Sequence, residues 1–351
     1  MTCHDRRVDS RDPIADLRRI AFLLERAHES TYRVRAFRGA IVALARRDRD
    51  EVARLAAAGD LKRLKGVGDV TARCVVESLR GEVPAYLQRL EDEAPEPVDA
   101  ATEGLLTALR GDCHSHTDAS DGGSPLAEMA ATARGLGHEY LVVTDHSPRL
   151  TVANGLSAER LRAQLDQIAE LNAALGTGFR VLTGIEVDIN EDGSLDQDPD
   201  LLAELDFVVA SVHSKLRMPG AEMTERMLTA IANPLVDVLG HCTGRMVMGN
   251  RKRPESQFAA DAVFAACAEH GVAVEINSRP ERLDPPKRLL RQAVEAGCVF
   301  TIDTDAHAPG QLDWLRNGCE RAVACDVPAE RVLNTWPVAE LFARSATRSG
   351  G

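Results

Sequence analysis

Seven short apolar runs beyond residue 110, each closing on polar residues, constrain this chain more than any other feature. They are 110–116, 141–146 (LVVTDH), 181–189 (VLTGIEVDI), 207–213 (FVVASVH), 236–241 (VDVLGH), 272–277 (VAVEIN) and 299–307 (VFTIDTDAH). Continuous apolar runs of this length read as strands covered on both faces. Helical stretches separate several of them, such as 157–175 and 257–270. Strand–helix alternation predicts a parallel sheet clothed in helices. Seven repeats in about 235 residues favour a (β/α) barrel over an open sheet.

What ends each strand points to chemistry. The first run ends in Asp112-Cys113-His114-Ser115-His116 and the second in Thr144-Asp145-His146. The third carries Glu186, the fourth ends at His213, the fifth at His241, and the sixth contributes Glu275 and Asn277. The seventh finishes Asp303-Thr304-Asp305-Ala306-His307, so six of the ten histidines fall at strand ends, which converge on one mouth in a barrel. Gathering imidazoles and carboxylates without a cation would leave buried polar groups unpaired. A bound metal removes that difficulty. His114 and His116, alternate residues of one strand, point to the same side. Mixed imidazole and carboxylate donors suit zinc, manganese or iron better than calcium. The donors are too many for one tetrahedral zinc, so the site is expected to be multinuclear. The run from Asp188 to Gly193 imitates an EF-hand loop, but its twelfth position is Pro199 and a strand precedes it.

Charge divides the chain. Residues 1–90 hold 19 Lys and Arg against 13 Asp and Glu, whereas the remaining 261 residues hold 23 against 41. Two modules with different partners are expected, the basic one suited to phosphate backbones and the acidic one to divalent cations. No apolar run is long enough for a membrane span, and the first residues lack the apolar core of a signal peptide. The eight cysteines show no CxxC spacing and read as reduced thiols, which with the missing leader suggests the cytoplasm.

The basic module reads as helical over 13–90, with Ile14, Leu17, Ile20, Leu23 and Leu24 at helical spacing. In 61–79 a Gly66-Val67-Gly68 turn would let backbone N–H groups approach a phosphate, with Lys62, Arg63 and Lys65 beside it. Arg33, Arg35 and Arg38, with Tyr32 and Phe37, add a basic patch. The acidic, proline-containing stretch 91–109 reads as a linker before a barrel over 110–342, and the tail 345–351 as disordered.

Two resemblances follow from these motifs. DCHSHTDASDG, TDHS, GIEVDI, SVHS, GHCTGR, EINSRPERLDP and DTDAH resemble, in order, the polymerase and histidinol phosphatase (PHP) family of metal-dependent phosphoesterases. That resemblance implies a distorted seven-stranded barrel and three divalent metals, zinc or manganese, with iron or magnesium as further candidates. One metal would use His114, His116, Glu186 and Asp305; a second Glu186, His213 and His241; a third Asp121, His146 and His307. Hydrolysis would proceed by a metal-bound hydroxide, with Glu186 as the shared ligand and Arg245 and Arg279 as phosphate contacts. Asp112 and Asp145 would orient ligands, and Asp188 and Asp303 would be structural. Cys242 stands where family members often have proline.

Residues 61–79 resemble a helix-hairpin-helix DNA-binding motif, and 13–90 the N-terminal helical domain of bacterial family X DNA polymerases. DNA contacts would come from Arg33, Arg35, Arg38, Lys65, Gly66 and Gly68. Some 20 residues between the modules leave no room for a polymerase palm. The implied activity is therefore a phosphodiesterase at nucleic-acid ends, a 3′→5′ exonuclease or end-processing repair enzyme. A small-molecule phosphomonoesterase is the alternative, and a non-catalytic DNA-binding scaffold the third reading. Oligomeric state stays open at this level.

Overall fold

The computed structural model describes residues 11–93, 96–249 and 252–342, in two units, Met1–Pro97 and Val98–Gly351. The expected disorder of the tail falls outside the described residues.

The first unit is built of helices α1 (Pro13–Arg26), α2 (Thr31–Ala45), α3 (Arg49–Ala57), α4 (Asp69–Leu79) and α5 (Ala85–Asp92). Asp12 caps α1 by accepting from the Ile14 N–H, and Pro13 occupies the first turn, where a missing N–H costs nothing. The helical spacing of Leu17, Ile20, Ala21 and Leu24 places them on one face, packed in a core with Phe37, Ile41, Leu44, Val75, Leu87 and Leu90. Asp16, buried on that face, accepts from Ser78 Oγ at 2.7 Å and from the Arg11 guanidinium at 2.7 Å, so its charge is paired.

The second unit opens with α6 (Ala100–Ala108), inside the stretch expected to be a linker. Asp99 caps it through the Thr102 N–H, and Leu105 and Leu109 are buried in the barrel's outer core. Acidic composition concealed a two-leucine apolar face. Then follow β1 (Gly111–Asp112), α7 (Leu126–Gly135), β2 (Tyr140–Val143), α8 (Ala158–Leu175), β3 (Arg180–Asp188), α9 (Pro199–Ala203) and β4 (Phe207–Ser211). The remainder is α10 (Gly220–Ile231), β5 (Val238–Leu239), α11 (Ala260–His270), β6 (Ala273–Asn277), α12 (Lys287–Glu295), β7 (Phe300–Asp303) and α13 (Leu315–Val323).

The strands lie side by side in chain order, every adjacent pair parallel. β3 pairs with β2 through Arg180–Thr183 and with β4 through Gly184–Asp188. At this handover a Cβ on Gly184 would meet Val142 Cγ1 at 2.8 Å and Phe207 O at 2.9 Å. The seam between β7 and β1 is closed by a Ser115–Ala306 bridge and by side chains. Asp303 Oδ1 accepts from the Cys113 N–H at 2.9 Å, and Asp112 from the Thr304 hydroxyl. The fold is a distorted, nearly closed seven-stranded barrel preceded by a helical unit.

Alternation along the strands sorts the side chains. Tyr140, Val142, Leu182, Phe207, Val209, Val238 and Ala273 form the inner core, together with Leu333. Their neighbours Ile185, Val187, Val208, Ala210, Val274 and Ile276 belong to the outer layer packed by helices. Several strands are shorter than expected, β1 and β5 having two residues each, so most candidate metal donors lie just beyond the strand ends.

All seven described cysteines are buried and unbridged. Burial pushes the Cys298 thiol up to about 11 and Cys319 up to about 12. Only thiolate attacks disulfide reagents. Ellman's reagent is therefore expected to leave these seven unreacted in the native protein and to titrate them in guanidinium. Two or more fast thiols before unfolding would contradict this packing.

Candidate metal centre

Inward positions two apart carry part of the site: 182, 184 and 186 follow one another this way, as do 273, 275 and 277, while His114 and His116 come just after the end of β1. Glu186 stands at the centre, almost fully buried. Its Oε2 lies 2.9 Å from His146 Nδ1, 3.3 Å from His114 Nε2 and 3.5 Å from His116 Nε2. Its Oε1 lies 2.8 Å from His241 Nε2 and 3.1 Å from His213 Nε2. Asp121 Oδ1 is 3.5 Å from His146 Nε2 and 3.3 Å from His307 Nε2. Asp305 Oδ1 is 3.4 Å from His116 Nε2. All nine donors implied by the family motifs thus come together around one mouth.

The carboxylates are held ionised and the imidazoles divide: burial would lower His114 and His213 but Glu186 raises both, whereas burial holds His116 and His241 down. Burial would raise Glu186, but the facing imidazoles of His213, His114 and His146 bring it well below the ordinary carboxylate range. Burial likewise opposes ionisation of Asp305, and Arg279 and Arg282 overcome it. Asp121 is lowered against its burial by His307. His116 is held well below the usual imidazole value by burial, then by His307 and His146, so it stays neutral with a lone pair to offer. Among these groups His114 Nε2, both His116 nitrogens, His146 Nδ1, His213 Nε2, His241 Nδ1 and Glu186 Oε2 are buried without a hydrogen-bond partner. Unsatisfied buried polar atoms are costly. Divalent metal ions fit this donor set, since they are the partners these atoms lack. Three groupings lie close enough to share ions: His116 with Asp121, His146 and His307; His114 with His116 and Glu186; and His146 with Glu186 and His213.

Supporting contacts hold the rings. His114 Nδ1 faces Glu275 Oε1 at 2.6 Å, and a proton there leaves Nε2 as the donor. His213 Nδ1 faces Asp188 Oδ1 at 3.2 Å, and the same carboxylate oxygen accepts from the His213 N–H. Asp188, expected to be purely structural, therefore orients a metal-site ring. Asp145 accepts from Thr117 N–H and Oγ1, Ser120 Oγ and Gln164, fixing the loop that carries Asp121. Asp112 accepts from the His114 N–H at 3.1 Å, while Asp303 binds Cys113 N–H and Asn334. Burial, with Asp303 second, raises Asp112, and burial, with Glu275 second, raises Asp303.

A PHP domain match spans residues 112–279, and a helix-hairpin-helix domain match spans residues 10–83. Over 244 residues the chain is 30% identical to a probable phosphatase of Shewanella sp. (strain MR-4), covering 66% of this chain and 89% of that protein. The chain belongs to the PHP family. It is also 39% identical over 229 residues to the DNA polymerase/3′-5′ exonuclease PolX of Bacillus subtilis (strain 168), covering 65% of this chain but only 40% of that protein. Among solved structures, a histidinol phosphate phosphatase from Lactococcus lactis complexed with zinc, L-histidinol and phosphate aligns at a TM-score of 0.46 and 20% identity, over 62% of this chain and 92% of that one.

Two arginines of this PHP barrel meet different fates. Arg279 Nη1 lies 3.0 Å from His307 Nδ1 and 3.4 Å from Asp305 Oδ1, within the centre. Arg245 does not reach it. Its guanidinium donates to the carbonyls of Arg282 and Leu283, with Glu255 at 3.7 Å, so the expected phosphate contact is spent holding the 282–283 backbone. Arg282, overlooked in the sequence, does reach the centre, through Nε to Asp305 Oδ2 at 3.0 Å. Arg226, 1% exposed, was also overlooked. It donates to the carbonyls of Ile189 and Ser214, the residues that follow Asp188 and His213. A buried arginine ten or more residues from any motif carries no local sequence signal.

The helical unit divides the expected DNA contacts. Arg33 is engaged by Tyr86 Oη at 2.7 Å and Glu29 at 2.5 Å, and Arg38 by the buried Glu25 at 2.8 Å. Phe37 belongs to the core, whereas Tyr32 is 85% exposed. Arg35 and Lys65 are exposed with no ion pair among the described residues. Gly66 adopts φ +101 against Gly39, and the Gly68 N–H is already taken by Thr71 Oγ1 at 2.9 Å. No described helix is long and apolar enough to cross a membrane.

Chelated protein is expected to gain thermal stability on adding manganese or zinc, since a ligand bound only by the native state stabilises it. Glu186→Gln should abolish most of that rise. Asp188→Asn should weaken metal affinity by roughly 10- to 100-fold in competition with a chelating indicator, as loss of a ring-orienting partner does. An affinity unchanged by Asp188→Asn would remove its orienting role.

Proposed function

We propose that this chain is a metal-dependent hydrolase of phosphoric esters that shortens nucleic-acid strands from the 3′ end, in the manner of an exonuclease or repair end-processing enzyme. The observation that carries the chemistry is the set of buried, unpartnered nitrogens around Glu186. The observation that favours nucleic acid is the helix-hairpin-helix unit with its exposed Arg35 and Lys65.

In this reading His114, His116, Glu186 and Asp305 hold one ion, Glu186, His213 and His241 a second, and Asp121, His146 and His307 a third, zinc or manganese being the best matches. Bound ions supply Lewis acidity toward a phosphoryl oxygen and a lowered pKa for water. The chain's own groups do the rest. Asp188 and Glu275 hold His213 and His114 in the tautomers that present Nε2. Arg279 offers a guanidinium beside His307, where its positive charge can meet a phosphate oxygen. Depressed carboxylates keep the donor set ionised through neutral pH. The helical unit binds the strand by its backbone, with Lys65 beside the Gly66–Gly68 turn.

Manganese- or zinc-loaded protein is expected to degrade a 5′-labelled single-stranded oligonucleotide into a ladder shortening from the 3′ end, with no ladder from His213→Ala. Absence of cleavage under every metal, with turnover of a small phosphomonoester, would establish the phosphomonoesterase alternative. Loss of hydrolysis in His213→Ala without loss of fold separates an enzyme from a scaffold. In DNA binding, Arg35→Ala with Lys65→Ala should lower the slope of log affinity against log salt by about 1.4 on single strands.

A further inference from the structure

Four of the loops at the barrel mouth differ in the sign of their charge. The loop after β1, residues 113–125, holds two acids and no base, and the loop after β3, residues 189–198, holds four acids and no base. By contrast, residues 212–219 after β4 hold two bases and no acid, and residues 240–259 after β5 hold four bases and one acid, Glu255. This reversal occurs within a module whose overall balance is strongly acidic, so it is not a bulk property of the surface.

The two basic loops form one surface. Ser256 Oγ donates to the Leu216 carbonyl at 2.9 Å, and the Ser256 N–H to the Thr243 carbonyl at 2.8 Å. Gly244, at φ +58, lies so close to Leu216 that a Cβ there would meet Leu216 Cδ2 at 2.7 Å. Leu216 thus packs inward while its neighbours Lys215 and Arg217 are exposed. An antiparallel bridge joins Met246 to Arg253 in the second loop, and Val247 N–H donates to Glu281 O at 2.7 Å, tying it to the segment that carries Arg279 and Arg282. In this loop Val247 and Met248 are 37% and 48% exposed, and Lys252 is exposed as well. Lys215, Arg217 and Lys252 have no acidic partner among the described residues. Each loop begins at a metal donor, His213 or His241.

We propose that these loops are the path of the substrate strand: with the reacting phosphate at the metal centre, the rest of a single-stranded nucleic acid runs over the β4 and β5 loops. Lys215, Arg217 and Lys252 contact its phosphates, and Val247 and Met248 give a base an apolar surface. The acidic loops after β1 and β3 repel the backbone and so set its direction. A small monoester needs none of this surface. The inference rests on the nucleic-acid reading above and extends it to where the strand lies.

The test compares the triple variant Lys215→Ala, Arg217→Ala, Lys252→Ala with a control of equal charge on outer helices, Arg134→Ala, Arg162→Ala, Arg291→Ala. Binding of a fluorescein-labelled single-stranded oligonucleotide to the full chain is followed by anisotropy in a chelating buffer at several salt concentrations. Metal-loaded turnover of the same oligonucleotide and of bis(p-nitrophenyl) phosphate is measured alongside. Three lost phosphate contacts should lower the salt slope by about 2 and kcat/KM on the oligonucleotide by about tenfold, the loss on the small diester staying well below that. The control should keep the wild-type slope. A mouth variant with the wild-type slope, or one losing both substrates equally, overturns the path. Wild-type protein that hydrolyses the small diester but neither binds nor cuts the oligonucleotide instead overturns the nucleic-acid reading itself.

Discussion

The structure turns on one buried carboxylate, Glu186, with five imidazoles drawn up around its two oxygens at 2.8–3.5 Å. Placing that many polar groups inside a barrel is unfavourable unless each finds a partner. Part of the need is met within the protein, as where Glu275 takes His114 Nδ1 and Asp188 takes His213 Nδ1. What is left over is a set of unpartnered ring nitrogens and a carboxylate oxygen, on residues that fall into three groupings close enough to share ions. That residue of unsatisfied donors is what makes the mouth a metal centre rather than a polar core.

The barrel delivers those groups by strand alternation. Below the mouth the inward positions are apolar, as at Tyr140, Val142, Leu182, Phe207 and Val209. Nearer the strand ends the same inward rows become Glu186, Glu275 and Asp303. The change from apolar to polar along one face marks the floor of the site. Longer-range contacts then fix the loops above it. Arg226 grips the backbone just past Asp188 and His213, and Arg245 grips the backbone at Arg282 and Leu283. Both use a permanent charge to hold carbonyls, which keeps nearby rings in place without adding another titrating group.

Charge is organised on a larger scale as well. The basic helical unit and the basic β4–β5 side of the mouth are separate positive surfaces in a chain whose net charge is −12. In the reading proposed above, a polyanion is guided to those surfaces and kept off the rest. The same acidic background that repels a bare phosphate backbone raises the local concentration of divalent cations.

The sequence by itself determined the seven strands, the helical first unit and the candidate donors at strand ends, because each rests on local periodicity or on a residue's place at a strand end, whereas Asp121 came only from the resemblance to the family. His114, His116, His146, His213 and His241 were legible for that reason, and so was the Gly66–Gly68 turn. Tertiary structure alone decided which charged side chains are free. Arg33, Arg38 and Arg245 read as ligand contacts but are consumed by Tyr86, Glu29, Glu25 and backbone carbonyls. Asp188 read as structural, and Arg226 and Arg282 drew no reading, yet all three hold groups of the centre or the backbone beside it. The α6 segment read as a linker but buries two leucines. The difference has one physical cause: a strand's facing is set by its own neighbours in the chain, whereas the partner of a long charged side chain is set by elements dozens of residues away.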